Sequence, residues 1–145
     1  MLAERPERVR KLFIQKEINP EGIFGVNITK NGARLEVVVD SFIPCENERV
    51  VFSTANGNEL WVLILEKVWA KAHGDYCRII GGLSHETFRD MTGAPAYLHS
   101  TKKIEDDELW KLINDANTAD HIMAGGVSAN DEEETKALDA LGLIA

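Results

Sequence analysis

The chain has 145 residues, a formal charge of −8, 44% apolar and 28% charged side chains, the composition of one ordinary globular domain or of two small lobes. No apolar run approaches the ~18 residues that cross a bilayer, and the opening MLAERPERVRKLF is too charged for a secretory signal, so a cytoplasmic address and no membrane partner are expected. From Glu105 onward eleven acidic residues face only Lys111 and Lys136, which puts −9 in that third and +1 in the remainder and argues against nucleic acid as a partner.

Pro6 to Phe13 reads as the last turns of a helix, with Val9, Leu12 and Phe13 apolar and Pro6 tolerable only in a first turn or at a kink. IFGVNITK and ARLEVVVD follow as two strands around Asn31-Gly32, a pair that accepts positive φ and so marks a tight hairpin. The period of two places Phe24, Val26 and Ile28 on one face, with Leu35, Val37 and Val39 facing inward from the partner strand.

SFIPC and a short VVFS run lead to TANG and then to the longest apolar pattern, NELWVLILEKVWAKAHG. Here Leu60, Trp61, Ile64, Leu65, Val68 and Trp69 cover most of a helix and leave Glu66, Lys67 and Lys71 for solvent. Asn58 is the expected N-cap and Gly74 the stop. At ~1.5–3 kcal/mol for each buried apolar side chain, this helix is expected to be the main core element.

Beyond Gly81-Gly82, Ser84 is placed to cap a short helix through Phe88 and Met91 that Gly93 and Pro95 close. Asp106 or Asp107 is placed to cap ELWKLINDA, with Leu109, Trp110, Leu112 and Ile113 inward. HIMAGG reads as a short buried strand, and DEEE, which lacks the alternating ligands and glycine of a calcium loop, as a solvated acidic loop before the apolar ALDALGLIA.

Catalytic signatures are absent: there is no Gly-x-Ser-x-Gly elbow, no phosphate-binding loop and no dinucleotide fingerprint. Cys45 and Cys77 have no zinc spacing and are expected to be buried free thiols. His85 and His99 are scattered, His73 falls at a helix C-terminus where a cation suits the dipole, and His121 opens the expected strand.

GIFGV, the hairpin ending in LEVVVDSFIPC, the helix NELWVLILEKVWAKAHGDY, the Gly81-Gly82 pair and ETFRDMTG, in that order and spacing, resemble the protease core of calpains, the calcium-dependent, papain-like cysteine endopeptidases. The resemblance runs from about Leu2 to Ala145. It implies an α+β papain-like fold with two lobes, residues 1–80 in the first and 81–145 in the second, and peptide-bond hydrolysis by a Cys-His-Asn site between them.

In the family the nucleophilic Cys lies just upstream of the segment matched here by LAERPERVRKLF, and the His and Asn downstream of that matched by ALDALGLIA. The expectation is therefore a core truncated at both ends, inert alone, with no catalytic residue among its own cysteines and histidines. A non-catalytic module that binds protein partners is the alternative.

Two features carry over by position. Gly81 and Gly82 match the glycine pair that joins the lobes, where backbone groups can pair with an extended substrate; a simple loop pair is the competing reading. Glu59 matches an acidic residue that helps bind calcium in the first lobe, although calcium takes six to eight oxygens and a first-turn carboxylate is the plainer reading. Ser41 and Ala94 depart from the family, which often has a second Asp and a second Gly there. The expected partners are a peptide or protein, the remainder of the protease domain or a larger assembly. Leu2, Val9, Leu141, Leu143 and Ile144 are expected to form apolar surface that such a partner covers.

Overall fold

The computed structural model describes residues 2–126 and residue 136. A single turn of 3-10 helix, Leu2–Glu4, precedes α1, Pro6–Leu12. Two strands follow, β1 at Ile23–Lys30 and β2 at Ala33–Asp40, then the two-residue strands β3, Cys45–Glu46, and β4, Arg49–Val50. The long helix α2 spans Trp61–His73, a 3-10 turn covers Tyr76–Ile79, and α3, Ser84–Thr92, and α4, Asp106–Thr118, complete the order. Strands and helices are segregated in sequence, so the architecture is α+β with two small antiparallel sheets.

The hairpin forms where its turn chemistry placed it. Asn31 and Gly32 take φ of 51° and 76°, the pair of left-handed residues that a tight two-residue hairpin needs. The register sets Val26 opposite Val37, Phe24 opposite Val39 and Ile28 opposite Leu35. Val26, Ile28, Val37 and Val39 are buried, whereas Leu35 remains 40% exposed. The difference arises near the tip, where α3 lies over β1 and leaves the β2 side uncovered.

Helix α2 packs its buried Ile64, Leu65 and Val68 on this face. Trp61 and Trp69 flank the seam half-buried. Val9 and Leu12 of α1 and Met91 of α3 close the same core. Val9 is thus a core residue rather than exposed apolar surface. Glu66 is not left to solvent either, since its carboxylate accepts from the Ser53 hydroxyl at 2.6 Å and from the Ser53 amide.

The helix starts differ from expectation by one or two positions. Leu60, in a helical conformation, precedes α2 and its carbonyl accepts from the Ile64 amide at 3.0 Å, so Asn58 caps nothing. Leu83 precedes α3 and Glu105 precedes α4, neither with a side-chain cap bond, so Ser84 and Asp106 are first helical residues. The stops hold. Gly74 ends α2 at φ 114°, and Gly93 ends α3 in the left-handed region with its amide 2.7 Å from the Arg89 carbonyl.

Helix α4 departs furthest from the pattern read for it. Trp110, Leu112 and Ile113 are 70%, 36% and 41% exposed, because no strand or other helix among the described residues packs along it. Its acidic first turn suits the helix dipole, and its far end is tied back by Asp120. His121–Gly126 is not a strand; it is largely exposed chain without ladder partners. The acidic run Asp131–Glu134 and ALDALGLIA lie outside the described residues, as does the Leu2 side chain. Among the described residues no helix is long and apolar enough to cross a membrane.

Candidate functional site

The segment leaving α2 is built around an open pair of glycines. After Gly74, the Asp75 carboxylate accepts from the Arg78 amide at 3.0 Å and closes the 3-10 turn Tyr76–Ile79. Gly81 and Gly82 follow, exposed, between Ile80 and Leu83, which are 79% and 54% exposed. A Cβ built on either glycine meets nothing within 4 Å, and neither residue has a positive φ. Neither glycine is therefore demanded by the local fold. Their peptide groups make no hydrogen bond to another described residue, which leaves donors and acceptors free for an extended chain.

Glu59 sits two residues before α2, exposed, and accepts from the Trp61 indole nitrogen at 3.1 Å. Among the described residues there is no group of three or more His, Cys, Asp or Glu side chains that could hold a metal ion. One carboxylate engaged with an indole does not fit the six to eight oxygens that calcium takes. The donor set present in the described residues does not make a calcium site.

The thiols are not where the sequence placed them. Cys45 and Cys77 are exposed rather than buried, because β3 is a two-residue hairpin arm at the surface and Cys77 lies on the outer side of a single turn. The Cys45 thiol donates to the Ile43 carbonyl at 3.4 Å. Neither cysteine bonds to a histidine.

The densest polar chemistry is a cluster that the sequence did not announce. Asp90 of α3 is only 2% exposed, and both of its oxygens are used: Oδ2 accepts from Lys30 Nζ and Oδ1 from Arg89 Nε, each at 3.1 Å. Lys30 also contacts His73 Nε2 and lies 5.5 Å from the centre of the Trp69 ring. His73 Nδ1 is 2.9 Å from the Trp69 carbonyl. A carbonyl can only accept, so Nδ1 is the donor in that bond. The imidazole thus sits between the end of α2 and Lys30.

This cluster satisfies a buried carboxylate, as burial in a low-dielectric interior requires. It pins α3 to β1 and α2. Lys30 and Asp90 are 60 residues apart, so no local spacing could have paired them.

A second polar group is left without a partner. The Tyr76 ring stacks on Phe52 with centroids 4.5 Å apart, and its buried hydroxyl has no hydrogen-bond partner among the described residues. Burial first, and then the nearby negative charges of Glu66 and Asp40, push the Tyr76 phenol up from its ordinary pKa.

The whole chain, residues 1–145, matches the calpain family cysteine proteases. It belongs to that family. Rat calpain-1 catalytic subunit (Rattus norvegicus) is 31% identical over 124 residues, 85% of this chain and 17% of the rat protein. Chicken calpain-2 catalytic subunit (Gallus gallus) is 32% identical over 124 residues, 85% of this chain and 18% of its own length. A calpain-type cysteine protease of maize (Zea mays) reaches 44% over 88 residues, 59% of this chain and 4% of the plant protein. The chain thus corresponds to a segment of a calpain-type protease domain and spans less than a fifth of each of these relatives.

Proposed function

We propose that residues 1–145 supply scaffold and one cleft wall to a two-lobed, papain-like calpain core, and that none of their own side chains is the nucleophile, base or orienting amide of peptide hydrolysis. The observation that carries this reading is the placement of the thiols. Cys45 and Cys77 are exposed and unaccompanied by an imidazole, and His73 is committed to Lys30 and the Trp69 carbonyl. A cysteine protease needs a thiolate held within hydrogen-bond reach of its base.

In this reading residues 1–80 belong to the first lobe and 81–145 to the second, and Gly81-Gly82 presents free backbone groups to an extended peptide. The seating of Met91 against β1 is then a contact between lobes. Calcium, on which calpains generally depend, is bound only when other segments add oxygens to Glu59. The partner is the remainder of the protease domain or a larger protein assembly, with a cytoplasmic address.

The test is cleavage of a fluorogenic peptide by the isolated 145-residue chain, with and without calcium. No cleavage above buffer is expected. Cleavage that disappears in Cys45→Ser or Cys77→Ser overturns the proposal.

One observation favours a second reading, a non-catalytic module that acts by binding protein: the uncovered apolar face of α4 at Trp110, Leu112 and Ile113.

A further inference from the structure

A groove of about 420 Å³ opens between α1, the hairpin and α3, away from Gly81-Gly82 and Glu59. Its floor is apolar, formed by Leu12 and Met91, both buried, with Ile122 at one wall. Its rim is cationic, with Arg8 and Lys11 from α1 and Arg34 from β2, and among the described residues no carboxylate side chain lines it. These three cations come from the part of the chain that carries +1, whereas −9 lies from Glu105 onward.

The three cations are not equally engaged. Arg8 pairs with Asp120 at 2.9 Å and donates to its carbonyl at 2.7 Å, so its charge is largely answered. Arg34 uses Nε on the Asn27 side-chain oxygen at 3.2 Å, which leaves its terminal nitrogens to solvent. Lys11 makes no ion pair or hydrogen bond with any described residue. Two cations without an ion pair among the described residues, Lys11 and Arg34, therefore line the groove together with its apolar floor.

We propose that this groove binds an acidic peptide segment of a protein partner, with carboxylates on Lys11 and Arg34 and an aliphatic side chain on Leu12 and Met91. Arginine offers a carboxylate a two-pronged donor and lysine a point charge. The volume falls in the range of ordinary ligand sites and admits one or two side chains rather than a helix. The negative balance of the whole chain disfavours a polyanion such as RNA or an anionic membrane, whose charge extends beyond the ~8–10 Å over which salt screens it. A short peptide brings its few charges only to the groove.

The experiment is fluorescence anisotropy of a labelled peptide of alternating Glu and Leu, titrated with the full 145-residue chain. The acidic peptide is expected to bind, to weaken as salt is raised, and to lose about tenfold or more in affinity in Lys11→Glu/Arg34→Glu. Lys11→Gln/Arg34→Gln should lose less, in the same direction. Lys102→Glu/Lys103→Glu makes the same change in net charge at exposed lysines outside the groove and should bind as the parent does; circular dichroism verifies that each variant is folded.

Four outcomes overturn the proposal. They are no binding of the acidic peptide at about 1 mM protein, equal binding of a Lys-Leu peptide, unchanged affinity in the groove variant, and stronger binding of a single-stranded oligonucleotide or anionic vesicles than of the peptide. A tenfold gain in peptide affinity on neutralising Asp131, Glu132, Glu133 and Glu134 overturns it as well, in favour of the chain's own acidic run as occupant. None of these readouts depends on proteolysis, so the groove and the scaffold reading fail separately.

Discussion

Helices α2 and α4 are the same length, 13 residues each, and both carry an apolar stripe, yet α2 is the centre of the core and α4 has no buried residue. The difference is not amphipathicity. Helix α2 follows a hairpin whose inner face, Val26, Ile28, Val37 and Val39, is the complementary surface. Helix α4 is held at its end, where Asp120 accepts from Arg5 at 2.9 Å and pairs with Arg8, but nothing among the described residues covers its length. An apolar period marks a face; a neighbour has to bury it.

The largest expected effect breaks the comparison if it fails. Ile64→Ala should cost about 2–5 kcal/mol, the range for truncating a fully buried aliphatic side chain, whereas Trp110→Ala should stay within about 0.5 kcal/mol. Urea denaturation of the isolated chain measures both. A comparable loss at Trp110 would mean that α4 is covered in solution.

Next in size is the polar seam that holds α3 on the core. Asp90→Ala should cost about 1.5–3 kcal/mol, because the carboxylate is buried and its bonds are to charged donors. Half-exposed Arg89 and partly exposed Lys30 can re-solvate, which keeps the loss below that of a fully buried pair. Chemical denaturation beside Asp90→Asn, which retains an acceptor, separates charge from shape.

A smaller effect depends on pH. Lys67, and then the Phe42 amide, hold the exposed Asp40 carboxyl below the ordinary carboxylate range. A depressed folded-state pKa contributes stability that is complete above about pH 4 and is lost as pH falls through the folded value. Asp40→Asn should therefore lower stability slightly at neutral pH, leave it unchanged well below the folded value, and so flatten that part of the acid-unfolding profile. A parallel shift of the whole profile would refute it.

The smallest expected change is at Tyr76. Removing a buried hydroxyl that has no partner among the described residues relieves a desolvation cost, so Tyr76→Phe should be neutral or stabilising by up to about 1 kcal/mol in thermal melts. A loss of stability would mean that the hydroxyl is bonded in solution.

Much of the core was legible in the amino-acid sequence. Asn31-Gly32 announced the hairpin because few residue pairs accept two positive φ angles, and the spacing of Ile64, Leu65 and Val68 announced the buried face of α2. Gly74 and Gly93 announced the stops. The cap positions were off by a residue or two because Asn58, Ser84 and Asp106 are residue types that favour caps, whereas α2, α3 and α4 all start without a side-chain cap bond. HIMAGG looked like a strand since its apolar run is short, and such runs become strands only when another strand offers a ladder.

The sites were less legible. The blocks around Gly81-Gly82 and Glu59 marked the family, and the match over residues 1–145 bears that out. Neither the Asp90 seam nor the Arg8, Lys11 and Arg34 rim has a motif, for each draws its members from separate elements.

What the amino-acid sequence determined by itself was therefore local and familial: the hairpin, the long helix and its stop, and membership of the calpain family, all written in φ preferences, short-range periodicity and block order. What only the tertiary structure decided was coverage. Whether Cys45 is inside or outside, whether Trp110 is packed, and which cation meets Asp90 depend on elements far apart in the chain arriving on the same surface, and periodicity carries no record of that meeting.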